Sequence, residues 1–122
     1  MKIPMISIVD DDDSVRQALK SLIDSVGFRA EVFGSGEEYL NSPQVYQTDC
    51  LIADVRMPGM SGLELQDRLN AAHLSIPVVF ISAHDDIEAR ARGLRGGAIA
   101  FLQKPFSEDS LLGAITTCLD KS

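Results

Sequence analysis

Cysteine is scarce in this chain. Cys50 and Cys118 are the two in 122 residues, and they stand too far apart for a metal-ligand spacing. That excludes a disulfide-stapled secreted scaffold and a zinc ribbon, and leaves two buried free thiols in a reducing compartment as the expectation. No apolar run approaches the ~20 residues that a membrane-spanning helix needs. The amino terminus offers one lysine, Lys2, and a short apolar stretch that stops at aspartates. It lacks the length and the small-residue cleavage pattern of a signal peptide. Internal repeats, low-complexity tracts and Pro/Gly/Ser-rich linkers are also missing. Bases are in the minority, eleven Lys and Arg against eighteen Asp and Glu, for a net charge of −7. Such a surface repels phosphates, which argues against nonspecific binding to nucleic acid or to an anionic membrane. A soluble, cytoplasmic protein is expected.

The length falls below the ~150 residues typical of one domain, so residues 1–122 are expected to form a single domain without a second lobe. With 45% hydrophobic and 24% charged residues, the composition is that of an ordinary globular protein. A chain of this size buries roughly two-thirds of its unfolded surface, enough for a core without staples. The acids are unevenly placed: four of the eighteen form one run, Asp10 to Asp13.

That run closes a short apolar segment, Met5 to Val9, which reads as a buried strand. Val15, Ala18, Leu19, Leu22, Ile23 and Val26 then recur with helical spacing, and Gly27 supplies a left-handed stop. Arg29 to Phe33 is a weaker strand. Ser35 to Glu38 reads as a capping box for a short helix ending before Pro43. Cys50 to Ala53 is a third strand, ending at Asp54. A turn at Met57 to Met60 precedes a second capping box, Ser61 to Glu64, and a helix to about Ala72. Pro77 to Ile81 is the fourth strand, ending at Ser82. Ile87 to Arg95 reads as a helix closed by Gly96 and Gly97, with Ile87, Ala91 and Leu94 as its inner face. Ile99 to Leu102 is the fifth strand, and Ser107 caps a last helix carrying Leu111, Leu112, Ile115 and Leu119.

Continuous apolar strands alternating with amphipathic helices predict an α/β fold, a parallel five-stranded sheet covered on both faces. Right-handed crossovers make it doubly wound, with the ligand site outside the carboxyl ends of the strands. Four strand exits carry chemistry: Asp10 and Asp11 after the first, Asp54 after the third, Ser82 after the fourth and Lys104 after the fifth. Carboxylates gathered from separate strands repel unless a cation neutralises them. An all-oxygen set suits a hard ion such as Mg²⁺, whereas zinc would want histidine or cysteine in the right spacing. A lysine and a hydroxyl beside that ion complement a dianionic phosphoryl group. Carboxylates are also accepted nucleophiles for forming an aspartyl-phosphate.

The segments I-V-D-D-D-D-S-V-R, D-V-R-M-P-G-M-S-G, F-I-S-A and F-L-Q-K-P-F together resemble the receiver domain of bacterial two-component response regulators, most closely the FixJ/NarL type. The resemblance runs over the whole chain and implies the strand order 2-1-3-4-5. It implies Asp54 as phosphoacceptor, and Asp10, Asp11, Asp54 and the backbone carbonyl of Arg56 as ligands of Mg²⁺ (or Mn²⁺). Ser82 and Lys104 would hold the phosphoryl group, with Lys104-Pro105 cis and with Ser82 and Phe101 as switch residues. Arg56 and His84 would tune how fast the phosphoryl group hydrolyses, although two solvated loop residues would look the same. The implied partner is a sensor histidine kinase or phosphotransfer protein. The face made by the fourth helix, fifth strand and fifth helix would dimerise or contact an output domain. The implied role is that of a signalling phosphoacceptor, not an enzyme. No output domain is expected within a chain that ends at Ser122, whether it is a stand-alone regulator or a receiver cut from a longer protein.

Plainer readings stand beside these. Asp12 and Asp13 precede a helix, where capping and the helix dipole favour carboxylates. Phe101 would be ordinary core in most proteins, and Arg90, Arg92 and Arg95 a solvated helical face. His73 reads as a surface residue at a helix end. A haloacid-dehalogenase-type phosphatase with Asp10 as nucleophile is the main alternative function. Its late acidic pair should follow the motif lysine, whereas Asp85 and Asp86 precede Lys104, and Asp54 would have no role. A flavodoxin-like cofactor binder would need Gly, Ser or Thr where the first strand exit is acidic.

Overall fold

The structure, a computed structural model, describes residues 2–121. Five strands, β1 (Met5–Val9), β2 (Arg29–Phe33), β3 (Cys50–Asp54), β4 (Val78–Ser82) and β5 (Ala100–Gln103), form one sheet in the order 2-1-3-4-5. Every pairing is parallel. Between the strands run α1 (Asp13–Ser25), α2 (Gly36–Leu40), α3 (Gly62–Ala71) and α4 (Ile87–Arg95), and α5 (Glu108–Lys121) follows β5. The predicted architecture and order are therefore found. A 3-10 turn at Pro43–Tyr46, which the sequence reading omits, carries the chain from α2 toward β3.

The sheet sorts its side chains by the two-residue period of a strand. Cys50 and Ile52 face the layer of α1 and α5 with Ile6, Ile8, Ile81, Leu111 and Ile115. Leu51 and Ala53 face the layer of α2 to α4 with Val9, Phe80 and Leu65. The central strands β1, β3 and β4 are buried at all five positions, as their largely apolar runs require. The edge strands β2 and β5 are partly exposed. Each fully buried Ile or Leu contributes about 1.5–3 kcal/mol, so the three central strands dominate the apolar stabilisation.

Local chemistry sets the helix starts. Asp12 caps α1, accepting from the Ser14 and Val15 amides. Ser61 and Glu64 form a full reciprocal box at α3. At α2 only half of the expected box forms: the Ser35 hydroxyl accepts from Glu38 N–H at 3.1 Å, while the Glu38 carboxylate accepts from Gly34 N–H at 3.2 Å. Ser107 caps α5 by accepting from Ser110 N–H at 3.0 Å. Gly27 and Gly97 take the left-handed positions that end α1 and follow α4, and His73 does so after α3 at φ 59°. Cys50 and Cys118 are buried free thiols. Their side chains meet between β3 and α5, which together with burial raises the Cys50 thiol far above its ordinary pKa.

One helical face differs from expectation. In α4 the buried residues are Ala89 and Gly93, whereas Ile87 is 78% and Leu94 47% exposed. The small residues face inward because Phe80 fills the space beneath. A Cβ at Gly93 would stand 3.0 Å from the Phe80 ring, so a helix presenting larger side chains there could not sit so close to β4.

Candidate functional site

The carboxyl ends of the strands bring the sequence candidates to one edge. Asp10 follows β1 and is fully buried. Its backbone continues the β1–β2 ladder, with Asp10 N–H donating to Phe33 O at 3.1 Å. The Asp10 carboxylate accepts from Asp12 N–H at 2.9 Å, and its carbonyl accepts from the Arg16 guanidinium at 2.7 Å. Asp54, the last residue of β3, is buried, and Asp11 is exposed. One carboxylate oxygen from each of Asp10, Asp11 and Asp54 lies within 4.8 Å of the other two. Lys104 enters from beyond β5, its Nζ at 3.2 Å from Asp10 and 3.6 Å from Asp54. The Lys104-Pro105 bond is cis, as the resemblance implied.

Three carboxylates converge beside one ammonium that pairs with two of them, and the electrostatics reflect the imbalance. Burial first, and the Asp10 charge second, push the Asp54 carboxyl up to about 6 against the pull of Lys104 and the Arg56 amide. A divalent cation would reverse that penalty, since the donors are hard oxygens converging from two strand ends. Mg²⁺ is a cation of that kind, and these residues fit it. Asp12 behaves differently. Its carboxyl is held below the ordinary value by the Ser14 hydroxyl and the first amides of α1, the signature of a cap. Asp13 is the first residue of α1 and pairs with Arg16 at 3.1 Å.

Ser82 sits at the end of β4 and is fully buried. Its hydroxyl accepts from His84 N–H at 3.1 Å and donates to His84 O at 3.0 Å, so it is engaged with its own loop. Phe101 in β5 is half-buried, with its ring 6.3 Å from that of Phe80 and the Arg90 guanidinium 5.5 Å above it. Arg56 pairs with Asp86 at 3.0 Å. The sequence reading weighs Asp86 only with Asp85, as the acidic pair of the phosphatase alternative. Its position just before α4 was the signal available, and that marks a cap rather than a partner of Arg56. Gly62 is a second residue that sequence reasoning passed over. A Cβ there would lie 2.3 Å from the Asp54 carbonyl oxygen, so only glycine lets α3 begin against the end of β3.

A doubly wound parallel sheet with this acidic, hydroxyl and lysine edge defines a class, and the chain matches the response regulator receiver domain family over residues 6–116. It belongs to that family and is a receiver domain of the two-component kind. It is 48% identical over 115 residues to the response regulator protein TmoT of Ectopseudomonas mendocina, covering 94% of this chain and 52% of TmoT. Transcriptional regulatory protein FixJ of Bradyrhizobium diazoefficiens is 33% identical over 114 residues, covering 93% of this chain and 56% of FixJ. The crystal structure of FixJ-N superposes with a TM-score of 0.91 at 32% identity, covering 100% of this chain and 98% of that one. The chain spans about half the length of the curated relatives it matches. The phosphatase alternative finds no support in these comparisons. Among the described residues, no helix is long and apolar enough to cross a membrane.

Proposed function

We propose that this receiver takes a phosphoryl group onto Asp54 from a sensor histidine kinase, a phosphotransfer protein or a small phosphodonor. The observation that carries the assignment of residues is the convergence of Asp10, Asp11 and Asp54 with Lys104 paired to two of the three. An Asp54 carboxylate oxygen attacks the donor phosphorus, a P–O bond forms, and the donor's P–N bond (P–O in acetyl phosphate) breaks as the leaving group departs. Asp10, Asp11, Asp54 and the Arg56 carbonyl would hold Mg²⁺ (or Mn²⁺), which supplies charge neutralisation of the transferring phosphoryl oxygens. Lys104 supplies the second positive charge, already poised between Asp10 and Asp54. Ser82 donates to the phosphoryl group once its hydroxyl leaves His84, and Phe101 turns with it. An apolar groove lined by Val15, Ala18, Leu22 and Phe106 flanks Lys104, a surface over which a donor protein can approach this edge.

The output is a change in the face made by α4, β5 and α5, where exposed Ile87 and Leu94 offer apolar area for a second copy or an output domain. The receiver works in the cytoplasm as a switch that assists its own phosphorylation and dephosphorylation. It is not an enzyme acting on other substrates, and this domain makes no direct contact with nucleic acid. Mg²⁺-dependent incorporation of label from radioactive acetyl phosphate tests the assignment. Asp54→Asn is expected to abolish labelling, and a folded Asp54→Asn chain that labels like the parent would refute it.

A further inference from the structure

The two ends of α4 are held in different ways. At the carboxyl end, Gln66 donates to Gly93 O at 2.9 Å and Asn70 to Gly96 O at 3.0 Å. Asp67 pairs with Arg92 at 2.5 Å. All three anchors come from α3, and Gly93 seats this half directly on the Phe80 ring. At the amino end Ala89 packs into the core, and the polar ties to other elements among the described residues are the Arg56–Asp86 ion pair and the Arg90 guanidinium over Phe101. Ile87 between them is exposed. The fixed end is thus tied to framework, and the other end to two residues beside the phosphorylation chemistry.

Asp86 holds two positions at once. One carboxylate oxygen caps α4 by accepting from Ala89 N–H at 3.0 Å, while the other accepts from the Arg56 guanidinium at 3.0 Å. Arg56 is two residues beyond Asp54, and Asp86 is two beyond His84, whose backbone occupies the Ser82 hydroxyl. The ion pair therefore clamps the loop after β3 to the loop after β4. Ser82 must give up both bonds to His84 to reach a phosphoryl group, which loosens the hold on the loop of residues 83–86, and a dianion on Asp54 competes with Asp86 for Arg56. We propose that Asp86 is a positioning residue of the switch, its carboxylate latching the free end of α4 to Arg56 in the unphosphorylated chain. The phosphoryl-bound arrangement forms only when that latch opens and α4 swings about its Gln66–Gly93 anchor. The inference rests on the reading of Asp54 as phosphoacceptor.

Beryllofluoride, a phosphoryl mimic, tests it when titrated calorimetrically into the full chain with Mg²⁺. A ligand that favours one state binds more tightly once the competing state is weakened. Asp86→Asn keeps a good capping residue and removes the ion pair, so beryllofluoride is expected to bind about threefold tighter, the size an exposed pair supports. The gain is expected to vanish in an Arg56→Gln background, which retains the backbone carbonyl. Asp67→Asn, which removes the exposed pair at the anchored end, is the control and leaves the affinity at the parent value. If Asp86→Asn misfolds, Asp86→Ser, also a capping residue, takes its place. Unchanged or weaker binding in the folded variant overturns the latch, as does a gain undiminished without Arg56, and in either case the phosphoacceptor reading stands. A parent chain that binds no beryllofluoride with Mg²⁺ overturns both.

Discussion

Among the described residues two polar clusters are wholly or partly buried, and they differ in what they leave unfinished. Against β1, Thr48 Oγ1 lies 2.7 Å from both Ser7 Oγ and Tyr39 Oη, and it donates to Gln44 O at 2.7 Å. Its one proton is committed to Gln44, so it accepts from both other hydroxyls, which uses its two lone pairs. Burial pushes the Tyr39 hydroxyl up to about 12, so it stays protonated and remains a donor. This cluster is neutral and closed. At the carboxyl ends of the strands, Asp10, Asp11 and Asp54 converge while Lys104 pairs with only Asp10 and Asp54, and that cluster is charged and open. Burial of polar atoms therefore does not mark function by itself. A charge imbalance that the protein leaves for a ligand to settle does.

The largest way to break the contrast is to remove a ligand from the open cluster. Loss of a residue that merely orients a metal ligand typically costs 10–100-fold in affinity, and Asp10 is proposed to bind directly. Asp10→Asn is expected to weaken Mg²⁺ binding roughly hundredfold, about 2.8 kcal/mol, by calorimetric titration. Ser7→Ala in the closed cluster is expected to leave Mg²⁺ affinity unchanged. An equal loss in both variants would mean that the two clusters are not functionally distinct.

The next effect belongs to the metal-free state. The Asp54 carboxyl lies at about 6 in the fold, above its model-peptide value of 3.8. Below pH 3.8 both folded and unfolded chains hold the proton, and Asp54 carries no penalty. As pH rises through the window to about 6, the unfolded chain ionises first and stability falls. Above that window the whole penalty is present. Two pH units correspond to ~3 kcal/mol at most, and solvent screening brings this to about 1.5 kcal/mol. In EDTA, Asp54→Asn is expected to be more stable than the parent by that amount at pH 7. The gain should shrink toward zero near pH 4, by urea unfolding at each pH. A gain independent of pH would assign it to something other than the buried charge.

How much of this is legible in the sequence follows from how local each signal is. Strands β1, β3 and β4 announce themselves as largely apolar runs, and Ser61, Ser107 and Asp12 cap helices with neighbours two or three residues away. The strand exits then follow from the rule that parallel sheets place ligands at their carboxyl ends, which located Asp10, Asp11, Asp54, Ser82 and Lys104. What escaped depends on contacts distant in sequence. The inner face of α4 was misread because large apolar residues outweigh Ala89 and Gly93 in a periodicity count. Packing there is decided by the Phe80 ring, which belongs to another element. Arg56 and Asp86 are thirty residues apart, and their pairing leaves no trace in spacing. The engagement of the Ser82 hydroxyl with His84 is a matter of rotamer and loop path, which residue types alone do not specify.

The smallest expected effect sharpens the comparison from the closed side. Tyr39→Phe keeps the ring and its edge-on contact with Phe33, whose centroid lies 5.2 Å away. It deletes one hydroxyl and leaves one lone pair of Thr48 without a donor. Removing a single neutral hydrogen bond in this way costs about 1 kcal/mol, which urea unfolding resolves. That loss should be the same at pH 5 and pH 7, because no group in the closed cluster titrates in that range. It should also be the same with and without Mg²⁺, because the cluster offers the ion no charge. The open cluster behaves oppositely on both counts, with its stability contribution moving with pH and with metal. A Tyr39→Phe loss that changed with Mg²⁺ would show that the two clusters communicate through β1, whose Ile8 and Val9 separate Ser7 from Asp10.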